Sequence, residues 1–168
     1  MNLFGNEAAP SISFDDGFRF FDGMFQGVRL YRGRQRFSKH FTGNDQVPAF
    51  DGKGENGSEG EELQCAIVLD SIPDVKHWIR NVPKHHNAFS LPRAGGFHYP
   101  DFVAELHDRR ALVVEYKGQR GKSDPKEIES RNIGKKWQAV SGGKAIYCRV
   151  EKELDGLDMR EQILRAIK

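Results

Sequence analysis

Long apolar runs are missing from this chain of 168 residues, in which hydrophobic residues make up 38% and charged residues 30%. No stretch approaches the roughly 18 consecutive apolar residues that a membrane-spanning helix needs. The first residues also lack the apolar core of a secretory signal. The sequence therefore predicts a globular protein of the cytoplasm.

Cysteine is scarce too: the only two are Cys65 and Cys148, each within an apolar pattern and neither in a C-x-x-C pair. This usage excludes a disulfide framework. The six histidines offer no zinc site instead, because none has the H-x-x-x-H spacing and no Cys/His spacing supports one. The sequence predicts two buried, reduced thiols.

Net charge is small, at +2, and does not by itself indicate a nucleic-acid partner. Basic residues cluster over Arg29–Lys39 and Lys117–Lys126, which is compatible with phosphate contacts, although a solvated face is the commoner explanation. An ATP site is excluded as well. The stretch GQRGKS at 118–123 resembles the end of a P-loop, but Tyr116 stands where that motif needs its first glycine.

Residues 58–168 are predicted to form one domain, preceded by an N-terminal extension over 1–57 with some β structure. Ser58 and Glu61 have the spacing of a capping box, which predicts a helix from about Glu59 to Ser71. The later predicted elements are strands over Val75–Asn81 and Phe89–Leu91, a hairpin of Tyr99–Leu106 with Ala111–Lys117, a helix over Pro125–Val140, a strand over Ala145–Val150 and a helix over Leu157–Ile167.

The hairpin is apolar except for a few charged residues. If its turn centres near Asp108, Asp101 and Glu115 face each other with side chains roughly 5 Å apart. Lys117 points to the same face, because strand side chains alternate. Val103 and Val113 share this face, whereas the opposite face is predicted to carry Phe102, Ala104, Leu106, Leu112, Val114 and Tyr116.

Two carboxylates this close require compensation. A divalent cation would supply it, and oxygen ligands favour Mg²⁺, for which Mn²⁺ can substitute. The alternative is an ion pair in which Lys117 bridges Asp101 and Glu115 without any chemistry.

Pro100-Asp101, followed by Glu115-Tyr116-Lys117 on an apolar strand, resembles the PD-(D/E)xK nuclease superfamily. Over residues 59–150 the chain is similar to the C-terminal endonuclease domain of type III restriction enzyme (Res) subunits and related helicase–nuclease proteins, in the segments EELQCAIVLD, VKHWIRN, FSLP, YPDFVAEL, VVEYKG, IGKKW and SGGKAIY. The resemblance implies an α/β, restriction-endonuclease-like core of order αβββαβ, with a mixed central four-stranded sheet flanked by helices.

The resemblance also implies an activity, that of a Mg²⁺-dependent endonuclease acting on DNA. Asp101 and Glu115 would be the metal ligands, and the backbone carbonyl of Tyr116 would complete the site. Lys117 would orient the attacking water or neutralise charge on the reacting phosphate. Glu62 would add an acid from the first helix, with Glu61 as the competing register. The alternative for Glu62 is an exposed acid favoured by the helix dipole.

Four basic residues are predicted to bind nucleic acid: Arg80, Arg120, Lys122 and Lys135. Arg80 belongs to a segment similar to the W-x-R-N of the family, and a structural ion pair explains it equally well. A solvated helix face is the alternative for Lys135. Trp78 and Trp137 are predicted as core residues, with base stacking as the alternative for Trp78. His98 is predicted as a surface residue, with substrate contact as its alternative.

Partners follow from the resemblance, because the related proteins carry helicase motor domains and this chain contains none. The chain would then be a fragment or a small stand-alone protein, or a helicase or translocase and a modification subunit would sit on other chains. Double-strand cleavage would favour a homodimer or a partner. The competing hypothesis is a non-catalytic nucleic-acid-binding or assembly module that keeps the nuclease fold. Hydrolysis of RNA or of branched DNA would use the same centre, because two-carboxylate metal chemistry does not read the sugar.

Overall fold

The computed structural model describes residues 18–51, 60–118 and 123–168. Its helices and strands are, in chain order, α1 (Glu61–Ser71), β1 (Val75–Arg80), β2 (Leu91–Arg93), β3 (Gly96–His98), β4 (Phe102–Leu106), β5 (Ala111–Tyr116), α2 (Pro125–Val140), β6 (Ala145–Val150), β7 (Glu153–Leu154), β8 (Leu157–Asp158) and α3 (Met159–Ile167). None of the described helices is long and apolar enough to cross a membrane.

The central sheet has four strands in the order β1-β4-β5-β6. The first three pair antiparallel, while β6 lies parallel to β5. A parallel neighbour cannot be reached by a tight turn, so the chain returns through α2. This confirms the predicted mixed α/β architecture with a four-stranded sheet packed against helices. The two-stranded ribbons β2–β3 and β7–β8 were not predicted, and the strand predicted over Phe89–Leu91 overlaps β2 only at Leu91.

Both faces of the sheet are covered by apolar side chains, as the predicted alternation requires. Leu112 and Val114 of β5 belong to the core beneath α1 and α3, together with Phe102, Ala104 and Leu106. Val113 and Val103 lie on the other face, in the core that α2 covers with Ile133 and Trp137. Trp78 and Trp137 are buried, as predicted, and so are the two free cysteines Cys65 and Cys148.

Local signals explain two of the helix boundaries. α2 begins as predicted, because Asp124 caps it by accepting a hydrogen bond from the Lys126 N–H, and Pro125 is its first residue. α3 begins at Met159, two residues later than predicted, because Leu157–Asp158 pairs with Glu153–Leu154 before Asp158 and Glu161 form a capping box.

The predicted start of α1 was wrong. The helix begins at Glu61 rather than near Glu59, and its N-cap is Gly60, which offers no side chain. Ser58 of the predicted capping box lies outside the described residues, as do Arg120 and Lys122.

Residues 18–51 pack on both sides of the sheet. Met24 and Phe25 join the core on the α2 side, and Phe37 and Val47 join the core on the α1 side. Over residues 28–32, β structure is limited to an isolated bridge between Leu30 and Pro48. Side chains from before residue 57, the predicted domain boundary, therefore belong to both cores.

His40 ties this N-terminal segment to β1. Its main chain bridges to Trp78, and its buried ring accepts a hydrogen bond at Nε2 from the Arg80 N–H (3.1 Å), while Thr42 Oγ1 lies 3.0 Å from Nδ1. Burial lowers the pKa of His40 to about 3, although the Asp70 carboxylate opposes the change. The imidazole is therefore neutral in the folded protein at neutral pH.

Acid should remove the stability that His40 contributes. Its pKa is about 3 in the folded protein against an ordinary 6.5, so the unfolded chain binds the proton first and stability is lost as pH falls below about 6.5. We expect the stability advantage of wild type over His40→Gln to shrink by about 2 kcal/mol between pH 7 and pH 5. Urea unfolding of both proteins across this range measures it, and His107→Gln, the same change at an exposed position, serves as the control. An advantage that stays constant with pH would contradict the assignment.

Candidate active site

The β4–β5 hairpin has the register that the sequence predicts. Phe102 pairs with Val114 and Val103 with Val113, so the same register continued by one residue sets Asp101 opposite Glu115. The turn closes around Asp108, whose Oδ1 accepts a hydrogen bond from the Arg110 N–H (3.0 Å). The two carboxylates that the sequence singles out are therefore brought together at the open end of the hairpin.

Asp101 lies just before β4 and is held through its side chain and its main chain. Its Oδ2 accepts a hydrogen bond from the Tyr116 N–H, and its carbonyl accepts one from the Asn81 N–H, both at 2.8 Å. The fully buried Asn81 side chain donates to the carbonyls of Phe89 and Pro100 (2.8 Å each) and accepts from the Phe89 N–H (3.0 Å). Asn81 thus anchors the chain directly before Asp101.

Glu115 is only 5% exposed. Its Oε1 lies 2.7 Å from the Lys117 ammonium. Its buried Oε2 has no hydrogen-bond partner in the described part of the chain, and His98 Nε2 is 4.0 Å away from it. Burial raises the pKa of Glu115 to about 8, and the neighbouring Asp101 adds to the rise against the opposing effect of Lys117. Burial likewise raises the pKa of Asp101, against the opposing effect of Arg80.

Lys117 bridges two carboxylates, but the pair differs from the predicted one. Its Nζ contacts Glu115 and, at 2.9 and 2.8 Å, both carboxylate oxygens of Glu127 in the first turn of α2, rather than Asp101. Burial alone would lower the pKa of Lys117, but the Glu115 and Glu127 carboxylates outweigh it and raise that pKa. Lys117 is therefore a fixed positive charge at the edge of the site.

Arg80 and Glu62 form a second cluster of charges beside Asp101. The guanidinium of Arg80, which is 2% exposed, contacts the Glu62 carboxylate through Nε, the Asp51 carboxylate through Nη2 (3.2 Å) and the Asn81 carbonyl through Nη1. Burial raises the pKa of Glu62 to about 8, Arg80 lowers it, and Asp101 raises it further. Of the two interpretations of Arg80, a phosphate contact or a structural ion pair, the structure shows the ion pair. Glu62 is buried, so it is not the exposed helix-terminal acid that was its alternative.

The other predicted residues lie around this centre or away from it. The carboxylate of Glu61, the competing register, accepts a hydrogen bond from the Tyr116 hydroxyl instead of joining the cluster. Lys135 is exposed on α2. The surface prediction for His98 was wrong, because the β2–β3 ribbon turns this residue inward, where its Nε2 lies 3.1 Å from the Tyr147 hydroxyl.

Sequence reasoning missed Glu127. Its only local signal is its position in the first turn of a helix that follows the E-x-K strand after a short connection. Helices that follow a strand at such a distance can direct their first turn toward the end of that strand, so an acid there was a candidate partner for Lys117.

The donor set fits Mg²⁺ or Mn²⁺. No group of three or more His, Cys, Asp or Glu side chains within residues 18–51, 60–118 and 123–168 is arranged to hold a metal ion. Mg²⁺ nevertheless needs only one or two protein carboxylates, since it keeps several waters and binds substrate phosphates. Asp101 and Glu115 supply two, and the unpartnered Oε2 of Glu115 is the acceptor that a cation would satisfy. Glu62 is less suited as a ligand, because Arg80 already pairs with it.

Comparisons of the chain with protein-family models, with curated proteins and with solved structures find no match.

Proposed function

We propose that this protein is a metal-dependent endonuclease of restriction-endonuclease-like fold, which hydrolyses DNA phosphodiester bonds at a centre formed by Asp101, Glu115 and Lys117. The carrying observation is a pair of opposed carboxylates at the end of an apolar hairpin, of which Glu115 is buried and Asp101 half-buried. One oxygen of Glu115 lacks a partner among the described residues. Burying such a pair costs free energy. Binding of a cation and a phosphate would account for its presence.

The two carboxylates have separate supports. Asp101 is fixed by the Tyr116 N–H and by Asn81, and Glu115 is fixed by its place on a central strand. When bound between them, Mg²⁺ or Mn²⁺ would lower the pKa of water and offset the charge of the phosphodiester oxygens. The Tyr116 carbonyl would be a further ligand. The strand pairing presets the spacing of the acids, so little reorganisation is needed on binding.

Lys117 supplies the third function. Its ammonium sits beside Glu115 and remains charged, so it can stabilise negative charge that develops on the reacting phosphate or orient the attacking water. Low solvent access around Glu115 strengthens such an interaction. Glu62 would influence the metal site indirectly. It pairs with Arg80, and the charge of Arg80 acts on Asp101.

The proposal also includes a DNA substrate and partner chains. Lys135, with Arg120 and Lys122, would contact the DNA backbone, and binding should weaken with salt as counterions are released. Coupling to a helicase or translocase and to a modification subunit on other chains belongs to the same proposal, as does a homodimer for double-strand cleavage.

Plasmid cleavage tests the proposal. We expect the protein to nick supercoiled DNA with Mg²⁺ or Mn²⁺ and not with EDTA, and we expect Glu115→Gln to lower the rate by about a hundredfold or more. Glu105→Gln is the matched control, since Glu105 lies at the turn end of the same hairpin and pairs with Lys76 and Arg109. Equal nicking by wild type and Glu115→Gln would assign the cleavage to another site or to a contaminant.

A non-catalytic nucleic-acid-binding or assembly module is the second candidate. It is favoured by the pairing of Lys117 with both Glu115 and Glu127, which compensates charge without any chemistry. Salt-sensitive DNA binding without cleavage under any metal would support this module.

A further inference from the structure

We infer that Glu127 is a positioning residue, which holds the Lys117 ammonium at the site when a cation occupies the Glu115 carboxylate. The inference rests on the proposed function and deepens it. Glu127 lies on α2, whereas Asp101, Glu115 and Lys117 belong to the hairpin. Its effect on metal affinity can be measured.

Contacts show how closely Glu127 engages Lys117. Both of its carboxylate oxygens reach Nζ, at 2.9 and 2.8 Å, whereas Glu115 reaches Nζ through one oxygen at 2.7 Å. The side chains of Lys117 and Glu127 are 23% and 26% exposed, against 6% for Glu115. The Lys117–Glu127 pair thus forms the outer part of the site. Pairs with this much exposure contribute little stability, so positioning is the effect that such a contact can have.

Glu127 projects from a well-anchored helix, whereas the ammonium of Lys117 lies at the end of a flexible side chain. It lies in the first turn of α2, which is capped by Asp124 and anchored in the core by Ile133 and Trp137. Lys117 is fixed at its backbone by a hydrogen bond from its N–H to the Val150 carbonyl (2.8 Å), but its ammonium ends a flexible four-carbon stem. A carboxylate on a well-anchored helix therefore limits where that ammonium can lie.

The Lys117–Glu127 pair matters because the Lys117 ammonium and a bound cation would compete for the Glu115 carboxylate. The Lys117 ammonium and a bound cation both favour the Glu115 carboxylate and repel each other. With Glu127 in place, the ammonium has a second carboxylate within 2.9 Å and can give up Glu115 without leaving the site. Without the Glu127 charge, Glu115 is the remaining carboxylate that Lys117 contacts among the described residues, so the ammonium opposes the cation more strongly.

A double-mutant cycle tests this inference. In wild-type protein, Glu127→Gln should weaken Mn²⁺ binding by about threefold to tenfold and lower kcat by about tenfold with little change in KM for DNA. In the Lys117→Ala background, Glu127→Gln should change neither quantity by more than the control does. The control is Glu129→Gln, which removes the same charge from the same helix and keeps an acceptor for the Ala94 N–H.

Mn²⁺ titration separates this inference from the proposed function. Coupling between positions 117 and 127 in Mn²⁺ affinity supports the inference even where no DNA is cut, which would overturn only the nuclease proposal. Equal effects of Glu127→Gln with and without Lys117 would overturn the inference while leaving cleavage intact. A wild-type protein that neither binds Mn²⁺ nor cuts DNA would overturn both.

Discussion

Asn81→Ala is expected to lower the free energy of unfolding by about 4 kcal/mol, because it leaves several buried backbone groups without partners at about 1–3 kcal/mol each. The side chain is fully buried and makes three hydrogen bonds, to the Phe89 N–H, the Phe89 carbonyl and the Pro100 carbonyl. Truncation also opens a cavity. Urea unfolding followed by fluorescence of the two tryptophans, both in the core, measures the change.

Asn87→Ala provides the matched control for Asn81. Its half-buried side chain donates one hydrogen bond, to the Met24 carbonyl at 2.8 Å, so its loss should cost about 1 kcal/mol. Asn81→Asp keeps the shape but directs carboxylate oxygens at two carbonyls, and it should destabilise at least as much as the alanine. Equal losses for Asn81→Ala and Asn87→Ala would contradict the anchoring role of Asn81.

Lys117→Ala is expected to reduce the rate of DNA cleavage by about 10²–10³-fold, the size seen when one preorganised stabilising group is removed. The ammonium is the only cation that contacts Glu115 at hydrogen-bond distance in the described part of the chain, so the variant removes the positive charge nearest the paired acids. Stability should change by less than about 1 kcal/mol, because the lost ion pairs are partly exposed. Single-turnover cleavage at saturating metal measures the effect on the chemical step.

Lys144→Ala controls for loss of a lysine elsewhere. Lys144 is exposed, and its carbonyl accepts from the N–H of Ala111 at the opposite end of β5. This variant should cut DNA at the wild-type rate. Lys117→Arg should retain part of the activity, since it keeps the charge on a larger, planar group. Wild-type cleavage by Lys117→Ala would remove Lys117 from the centre.

The register of the central hairpin was predictable, because it depends on two local rules. Side chains alternate along a strand, and a turn near Asp108 sets which residues oppose each other. Together these rules place Asp101 against Glu115 and put Val103 and Val113 on the face opposite to Leu112 and Phe102. The start of α2 is equally local, since Asp124 and Pro125 specify it within the chain itself.

Strand alternation indicates the contact between Lys117 and Glu115, but the other electrostatic partners were not predictable from such rules. Lys117 meets Glu127 only because α2 packs against the sheet. Arg80 meets Asp51 and Glu62 only because three separate segments pack together. No periodicity in the sequence encodes these contacts. They follow from tertiary packing, which also explains why His98 is buried.

The β2–β3 ribbon and the packing of the N-terminal segment were not predicted, because both are short or irregular. β2 and β3 have three residues each, too few to show alternation, although the Gly95-Gly96 pair, which leads into β3, was a turn signal. Within residues 18–51, Phe25 and Phe41 pack on one face of the sheet and Phe37 and Phe50 on the other, so these phenylalanines do not follow the period of a single element.

The N-terminal segment also determines how the sheet ends. β1 pairs with β4 on one side, and on its other side the Phe41 N–H donates to the Trp78 carbonyl while the Trp78 N–H donates to the Lys39 carbonyl. An uncovered edge strand is a template for strands of other molecules. Residues 39–41 occupy that template at its centre, so they act as a barrier to edge-to-edge aggregation of this protein.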